Sequence, residues 1–398
     1  MRPPALSAPT LRYAALNAAF WASFCLLMAF ASVFLLARGL TNTQIGLVAS
    51  ASGILSAVLQ PVIAGLADRS RVPLRVWVAA LAVVLAAAGG ALLLPGASPL
   101  RDGILFGLLQ ATLQAMMPLV NAMGMAAADS GVPVDFGKAR AFGSISFAIM
   151  STLTGVAVAS AGPDAIVLLL AAVQGLVIIA ALTFVFSARS RSDADASDAL
   201  PDPPPLDAAA RRAFIVLVAG ATGLFASQAA IAGFLFQVLR PLGGDASTMG
   251  LAFTLTALIE IIPMIFFKQL SRRWTPATLL RVASIGFTVK ALLAWLAPNL
   301  AVFFVSQALQ LVAFALFLPA SVYYVDRLLP RAERARGQAY MTITITLGNV
   351  VAGLGGGYLL DAAGVPALLA AGTACAALGA VGVHLGTRRS GRQVQQAA

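Results

Sequence analysis

The sequence has few of the residues that build metal centres, disulfide frameworks or soluble surfaces. Its 398 residues include two cysteines and one histidine. Cys25 and Cys375 both lie inside apolar stretches, which is typical of small core hydrophobes rather than of a disulfide or metal framework. We therefore expect neither a metal nor a cofactor.

Charge is also scarce. Charged residues make up 10% of the chain and hydrophobic residues 60%, whereas a soluble domain carries about 25% charge. A span of about 20 apolar residues crosses roughly 30 Å of hydrocarbon. The sequence offers twelve such spans, near residues 13–36, 44–67, 76–95, 103–127, 140–161, 165–187, 213–236, 247–267, 277–297, 300–325, 338–360 and 366–386. It thus predicts an all-α membrane protein with twelve transmembrane helices.

The cations indicate how these spans are oriented. Of the 26 Lys and Arg residues, 22 fall at the termini or in every second gap between spans, and only Arg38, Arg101 and Arg240 fall in the other gaps. Because cationic loops are retained in the cytoplasm, we expect both termini inside and the chain in the cell (inner) membrane. The net charge of +11 is then an orientation signal, and no nucleic-acid partner is expected, since the cations are scattered over short loops.

The longest gap divides the chain into two similar parts. Residues 188–212 are rich in Ser, Asp, Ala and Pro, which predicts a flexible cytoplasmic linker. It separates an N-terminal six-helix bundle, residues 1–187, from a C-terminal six-helix bundle, residues 213–398. The opening of the fifth span, residues 137–140, is echoed by residues 337–340 in the eleventh. These equivalent positions favour parallel repeats about an axis along the membrane normal.

One loop carries a recognisable motif. Residues 65–71, GLADRSR, resemble the inner-loop signature of the major facilitator superfamily, with Ser70 in place of its second glycine. The resemblance implies that Gly65, Asp68, Arg69 and Arg71 form a gating motif. Physically, an acid at the mouth of the second span can hold cations or a helix N-terminus in a latch that breaks during transport. The alternative is an ordinary cytoplasmic loop.

A closer resemblance covers almost the whole chain. Residues 59–69 and 135–144 are similar to the lactose permease branch and its phenylpropionate transporter-like relatives. In that branch an arginine at the position of Arg140 and an acid in the fourth span bind substrate, but the acid is replaced here by Asn121. The resemblance extends to Lys290 and to the segment that contains Gln307 and Gln310. It implies two six-helix bundles, and we expect a monomer.

Two ionisable residues lie deep within predicted spans. Glu260 is about 12 Å along a helix from Lys268, and Lys290 is near the middle of the ninth span. Each would cost about 2.5–3.5 kcal/mol at the bilayer centre if it faced lipid. They should face a cavity or each other, and Glu260 is the candidate for proton coupling. The alternative is a structural pair that pins two spans together.

Uncharged polar residues form stripes at helical spacing. Gln307 and Gln310 share one face, and the other stripes comprise Gln110, Gln114 and Asn121, and Thr342, Thr346 and Asn349. Each stripe is compatible with interhelical hydrogen bonding, but several at mid-depth favour a wet cavity. Trp21 could stack on a substrate ring, although packing is the alternative. We expect Asn121, Arg140, Lys290, Gln307, Gln310 and Trp21 to bind substrate.

The sequence therefore predicts a secondary transporter. It would move a small polar or anionic organic solute, such as a sugar or an aromatic carboxylate, by alternating access with a proton as the coupled ion. An uncoupled facilitator or a drug or metabolite exporter would have the same architecture and stays an alternative. An intramembrane enzyme would require a cluster of His, Asp or Cys, which the sequence lacks, so enzymatic activity is not expected.

Overall fold

The computed structural model describes residues 7–96, 98–130, 132–185 and 208–396, and within these ranges every regular element is a helix. Seven α-helices precede the linker: α1 Ala8–Phe24, α2 Ala31–Ala37, α3 Asn42–Arg69, α4 Leu74–Ala91, α5 Pro99–Asp129, α6 Phe136–Ala161 and α7 Ala165–Thr183. Eight follow it: α8 Ala208–Gly233, α9 Leu235–Leu239, α10 Ala246–Arg273, α11 Pro276–Trp295, α12 Leu300–Ala308, α13 Phe314–Leu328, α14 Arg331–Val351 and α15 Gly357–Gln396.

The helices are long enough and apolar enough for a membrane protein. The described residues contain eleven helical stretches that could each cross a bilayer, and the last, Arg336–Arg388, is 53 residues long. At 1.5 Å per residue this stretch would measure about 80 Å, more than twice the hydrocarbon thickness. Gly364, with φ +76°, interrupts the helical backbone within it. The stretch therefore supplies two crossings, and the prediction of twelve transmembrane helices is confirmed.

Several helices begin where the sequence supplies a cap. Thr41 accepts a hydrogen bond from the backbone N–H of Gln44, whose side chain bonds back to Thr41 in a capping box. Ser98 caps α5 just before a proline in its first turn. These caps satisfy backbone N–H groups that the first turn of a helix leaves free.

The predicted linker needs a correction at its end. Residues 188–207 lie outside the described residues, but residues 208–212 form the first turn of α8. A run of three alanines followed by Arg211 and Arg212 has high helix propensity, so the helix starts before the apolar stretch does.

The chain divides into two compact units. The first comprises residues 1–195 together with 245–257, and the second comprises residues 196–244 and 258–398. In the first unit α1 packs on α6 and α7, α3 packs on α5, and α4 packs on α5 and α7. The start of α10 also belongs to this unit, because Gly155 and Gly250 let its backbone approach α6, and Thr152 and Thr254 are hydrogen-bonded at 2.8 Å.

The second unit repeats most of these contacts. α8 packs on α14 and α15, and α11 packs on α13 and α15. The α8–α15 contact is the most extensive, because glycines face one another across it. A Cβ atom on Gly220 would lie 2.7 Å from the carbonyl oxygen of Gly379, and one on Gly379 would lie 2.6 Å from that of Gly220. Small residues allow such backbone contact between membrane helices.

Several spans are not continuous α-helices. The first contains a π-helical turn at Cys25–Ala29, and the eleventh contains one at Ala352–Gly356, in its glycine cluster. The tenth is broken between α12 and α13 by a 3₁₀ turn at Leu309–Leu311. Breaks within membrane helices are tolerated where neighbouring groups satisfy the freed backbone, and they often accompany binding sites.

Candidate functional site

A buried polar network lies in the second unit. The Lys290 ammonium, on α11, donates to the side-chain oxygens of Gln228 on α8, at 2.8 Å, and of Gln310. The amide nitrogen of Gln310 in turn donates to the Glu260 carboxylate at 2.8 Å. Gln310 thus bridges the two ionisable residues that the sequence places at mid-membrane.

The break in the tenth span positions this bridge. Gln310 is the middle residue of the 3₁₀ turn between α12 and α13. A 3₁₀ turn rotates its side chains relative to those of a continuous α-helix, so the amide of Gln310 points between α10 and α11. Gly286 also brings α11 close to the break, because a Cβ atom there would lie 3.1 Å from the backbone nitrogen of Ala313.

The centre of the network is deeply buried, whereas Gln228 and Glu260 at its two ends are partly buried. Lys290 is 1% exposed and Gln310 is 2% exposed. An unpaired ammonium in such a place would be strongly destabilising, so the two amide oxygens and the nearby Glu260 charge are what make a buried lysine tolerable. Within the network, Glu260 supplies the carboxylate, and Gln310 lies between it and the Lys290 ammonium.

Gln307 does not join this network in the described residues. It lies at the end of α12, is 3% exposed, and its amide donates to the hydroxyl of Ser306 at 3.1 Å. The helix break separates Gln307 from Gln310, which an unbroken helix would place on one face. The prediction that both line a substrate cavity stays untested.

In the first unit, Arg140 and Trp21 are in direct contact. The guanidinium carbon of Arg140, on α6, lies 3.9 Å from the centroid of the Trp21 ring on α1. Gly143, one turn further along α6, makes room for this contact, since a Cβ atom there would lie 2.6 Å from the Trp21 ring. The pair is a cation–π interaction, and both of its members are only partly buried.

The start of α6 is fixed so that Arg140 faces α1. The Asp135 carboxylate caps α6 by accepting from the backbone N–H of Lys138 at 3.0 Å, and the Lys138 ammonium lies 2.9 Å from it. The backbone N–H of Asp135 donates to the hydroxyl of Thr10 on α1 at 3.0 Å. The hydrogen bond from the Lys138 backbone lowers the pKa of Asp135, as expected of a carboxylate at a helix N-terminus.

The polar residues of the fourth span lie in different environments. Gln110 is 3% exposed, donates to the backbone oxygen of Leu27 at 2.9 Å and accepts from Ser52 at 3.0 Å. It therefore connects three spans, in keeping with the alternative of interhelical hydrogen bonding. Asn121, further along α5, is only partly buried, and its predicted role in substrate binding stays a prediction.

The gating motif lies at the end of α3. Asp68, Arg69 and Arg71 are exposed, and Asp68 forms no salt bridge with either arginine within the part of the chain that the structure describes. Ser70 replaces the family glycine without strain, because it ends the helix in an extended conformation and accepts from the Trp77 indole at 2.9 Å. The latch stays a prediction.

Sequence reasoning missed an ionic cluster at the opposite ends of the first unit's helices. Asp102, in the first turn of α5, is 0% exposed, and its carboxylate lies 3.5 Å from Arg38. Arg38 also donates to Asp164, next to α7, at 2.6 Å. The cluster ties the ends of three spans together. The rarity of acids in these loops could have drawn attention to it.

The helices, the buried network and the breaks in the spans together define a multi-pass membrane transporter. Residues 11–369 match the profile of the MFS_1 like family, and the chain belongs to that family. It is a transporter rather than an enzyme. No curated protein matches the sequence.

Solved transporter structures have the same fold. The nucleoside transporter NupG is 14% identical, with a TM-score of 0.76 over 96% of this chain and 99% of its own. A peptide transporter POT in complex with sulfate is also 14% identical, with a TM-score of 0.73 over 97% and 96%. A bacterial homologue of the iron transporter ferroportin is 16% identical, with a TM-score of 0.71 over 96% and 99%. At these identities the likeness concerns the fold.

Proposed function

We propose that this transporter couples the movement of a small polar or anionic organic solute to a proton, by alternating access. The observation that supports this most strongly is the buried network of Lys290, Gln310 and Glu260. Glu260 is the titratable carboxylate in it. Protonation of Glu260 would remove its charge and leave Lys290 available to an anionic group of the substrate.

The energetics make one proton sufficient. A proton that moves down 100 mV supplies about 2.3 kcal/mol, which corresponds to a roughly fiftyfold solute gradient. A single carboxylate that alternates between ionised and neutral forms could therefore drive accumulation. Lys290 would link its protonation state to the substrate through the bridging amide of Gln310.

Arg140 supports an anionic or hydroxyl-rich substrate. Its guanidinium is permanently charged and offers several donors in one plane. The Trp21 ring beneath it holds that plane in place and provides an aromatic surface, which is suited to a sugar or to an aromatic acid. We further propose that the chain lies in the cell membrane with both termini in the cytoplasm, as the distribution of its arginines indicates.

The test uses purified protein in liposomes. A thermal-shift screen against sugars, nucleosides and aromatic acids identifies a substrate, and uptake is then measured with and without an uncoupler. Under this proposal, Glu260→Gln abolishes uphill accumulation but retains exchange of labelled for unlabelled substrate, because exchange needs no net protonation cycle. Asp129→Asn, which also replaces a carboxylate by an amide but at an exposed position, is the control. This variant should accumulate substrate normally.

A structural role for Glu260 gives a different pattern. If Glu260 only stabilised Lys290, Glu260→Gln would lower the melting temperature, and replacement of both residues by Gln would restore both folding and accumulation. Full accumulation by Glu260→Gln would refute the assignment, and accumulation that is insensitive to the uncoupler would indicate a facilitator or another coupling ion.

A further inference from the structure

A cavity of about 520 Å³ lies in the second unit, away from the buried network. It is bordered by the first three turns of α8, by the connection from α13 to α14 and by the start of α14. Its lining residues include Arg211, Phe214, Leu329, Glu333, Arg336 and Tyr340.

Apolar side chains form the walls of this cavity. Phe214 on α8 and Tyr340 on α14 meet edge to face, with ring centroids 6.4 Å apart. Gly337 brings α14 against the end of α13, where a Cβ atom would collide with the side chain of Leu329. The walls are therefore built by close helix packing and suit a hydrocarbon segment.

Two arginines lie at the rim of the cavity. Arg211 and Arg336 are both exposed, and within the described residues neither pairs with a carboxylate. Arg334 is held nearby, since its guanidinium donates to the backbone oxygen of Leu329 at 3.0 Å. Glu333 is the one acid among the lining residues, so the rim stays net positive. Guanidinium groups bind phosphate oxygens well.

An apolar path leads away from the rim along α14. Tyr340, Ile343, Leu347 and Val351 follow Arg336 at intervals of three or four residues, and each is 46–51% exposed. This spacing places them on one face of the helix. The polar stripe of Thr342, Thr346 and Asn349 lies on a different face, with its centre about 140° away at about 100° per residue. The apolar face is therefore the one that suits lipid.

We propose that this cavity is a binding site for an anionic phospholipid. The phosphate lies between Arg211 and Arg336. The part of the lipid next to the phosphate fills the apolar cavity, and one acyl chain runs along Tyr340, Ile343 and Leu347. The cavity lies at the end of the unit that carries the arginine-rich loops, where the inner leaflet supplies anionic headgroups. The leaflet assignment alone rests on the orientation proposed above.

The test compares lipids in detergent solution. Phosphatidylglycerol and phosphatidylcholine of equal acyl length are titrated onto the purified protein, and binding is followed by native mass spectrometry and by melting temperature. Phosphatidylglycerol should bind more tightly, and the double change Arg211→Gln with Arg336→Gln should remove most of that preference. A loss of roughly fivefold per arginine is expected.

Two controls distinguish a lipid site from a general effect of positive charge and from a site for a free anion. Arg212→Gln with Arg327→Gln removes two arginines that do not line the cavity and should preserve the preference. If inorganic phosphate raises the melting temperature as much as phosphatidylglycerol does, the site binds a free anion and the lipid proposal is wrong. An unchanged preference in the Arg211 and Arg336 double variant would also overturn it, provided that the variant melts normally without lipid.

A separate labelling experiment tests the leaflet. Cysteines at Val72 and Pro298, two exposed loop positions, are introduced after Cys25 and Cys375 are changed to alanine. We expect the first to label from the cytoplasm and the second from outside. If the first cysteine labels from outside and the second from the cytoplasm, the proposed orientation is wrong and the site belongs to the outer leaflet. The lipid preference measured in detergent does not depend on this result.

Discussion

The two halves of the chain each hold a cation within or beside a span, but in different ways. In the first unit the Arg140 guanidinium lies against the Trp21 ring and both are partly accessible. In the second, Lys290 is 1% exposed and is linked through Gln310 to Glu260. An arginine keeps its charge, whereas a carboxylate can lose it. The first unit thus carries a fixed positive charge, and the second carries the group whose charge can change.

Helix packing differs as well. α8 and α15 meet backbone to backbone through Gly220 and Gly379. The equivalent helices of the first unit, α1 and α7, meet through side chains, including a hydrogen bond from Gln174 to Ser23 at 3.1 Å. Side chains can adjust to a neighbour, but a backbone contact cannot. A shared six-helix plan is therefore compatible with very different tolerance to substitution.

The largest expected effect is at this glycine contact. Gly220→Ala or Gly379→Ala should destabilise the protein by about 1–3 kcal/mol, because the new methyl group meets a backbone oxygen that cannot move away. Gly175→Ala, on α7, has nothing within 4 Å of the added atom and should be neutral or slightly stabilising through helix propensity. Melting temperatures and size-exclusion profiles check both. If all three alanine variants had the same melting temperature, the two halves would not differ in their tolerance to substitution at the helix contacts.

The next effect concerns the bridging amide. Gln310→Leu should lower stability by about 1–3 kcal/mol, because it leaves the Lys290 and Glu260 groups each short of one buried hydrogen bond. It should also abolish accumulation. Gln307→Leu, three residues away and equally buried, removes only a bond to the adjacent Ser306 and should cost less. Uptake and melting temperature are measured for both variants, and similar losses would mean that Gln310 has no special role.

A smaller effect is expected at the fixed charge of the first unit. Trp21→Leu removes a cation–π contact worth about 0.5–2 kcal/mol, so the KM for an anionic substrate should rise by roughly 2- to 30-fold. Arg140→Lys should act similarly, because an ammonium lacks the planar face. Arg12→Gln, an exposed cation on the same helix as Trp21, is the control and should leave KM unchanged. An unaltered KM in Trp21→Leu would make the pair a packing contact.

The smallest effect concerns the gating motif. Asp68→Asn should slow transport severalfold while expression and substrate binding stay intact, because the latch acts on the conformational cycle. Residues 270–273 of the second half, Leu-Ser-Arg-Arg, resemble residues 66–69, Leu-Ala-Asp-Arg, with Arg272 in place of Asp68. Because no acid stands there, Arg272→Gln should change the rate less. Transport rates are compared with substrate affinity from thermal shifts. Weaker binding with a normal cycling rate would assign Asp68 a different role.

The sequence alone was sufficient for the class of protein and its helices. Twelve apolar spans, a scarcity of charge and the motif at residues 65–71 predicted the fold that the family and the solved transporter structures support. Hydrophobicity is a local property, and a bilayer of fixed thickness converts it directly into helix number. Glu260 and Lys290 were also identifiable, because an ion within an apolar run is costly enough to be conspicuous.

Only the tertiary structure decided how these residues are connected. The 3₁₀ turn at Leu309–Leu311 directs Gln310 between Lys290 and Glu260 and leaves Gln307 apart, although their spacing predicts a shared face. The contact of Arg140 with Trp21 depends on Gly143 and on a cap more than one hundred residues away from α1 in sequence. The buried Asp102 cluster likewise joins three distant segments. Such arrangements depend on breaks in helices and on packing between them, and helical periodicity carries no information about either.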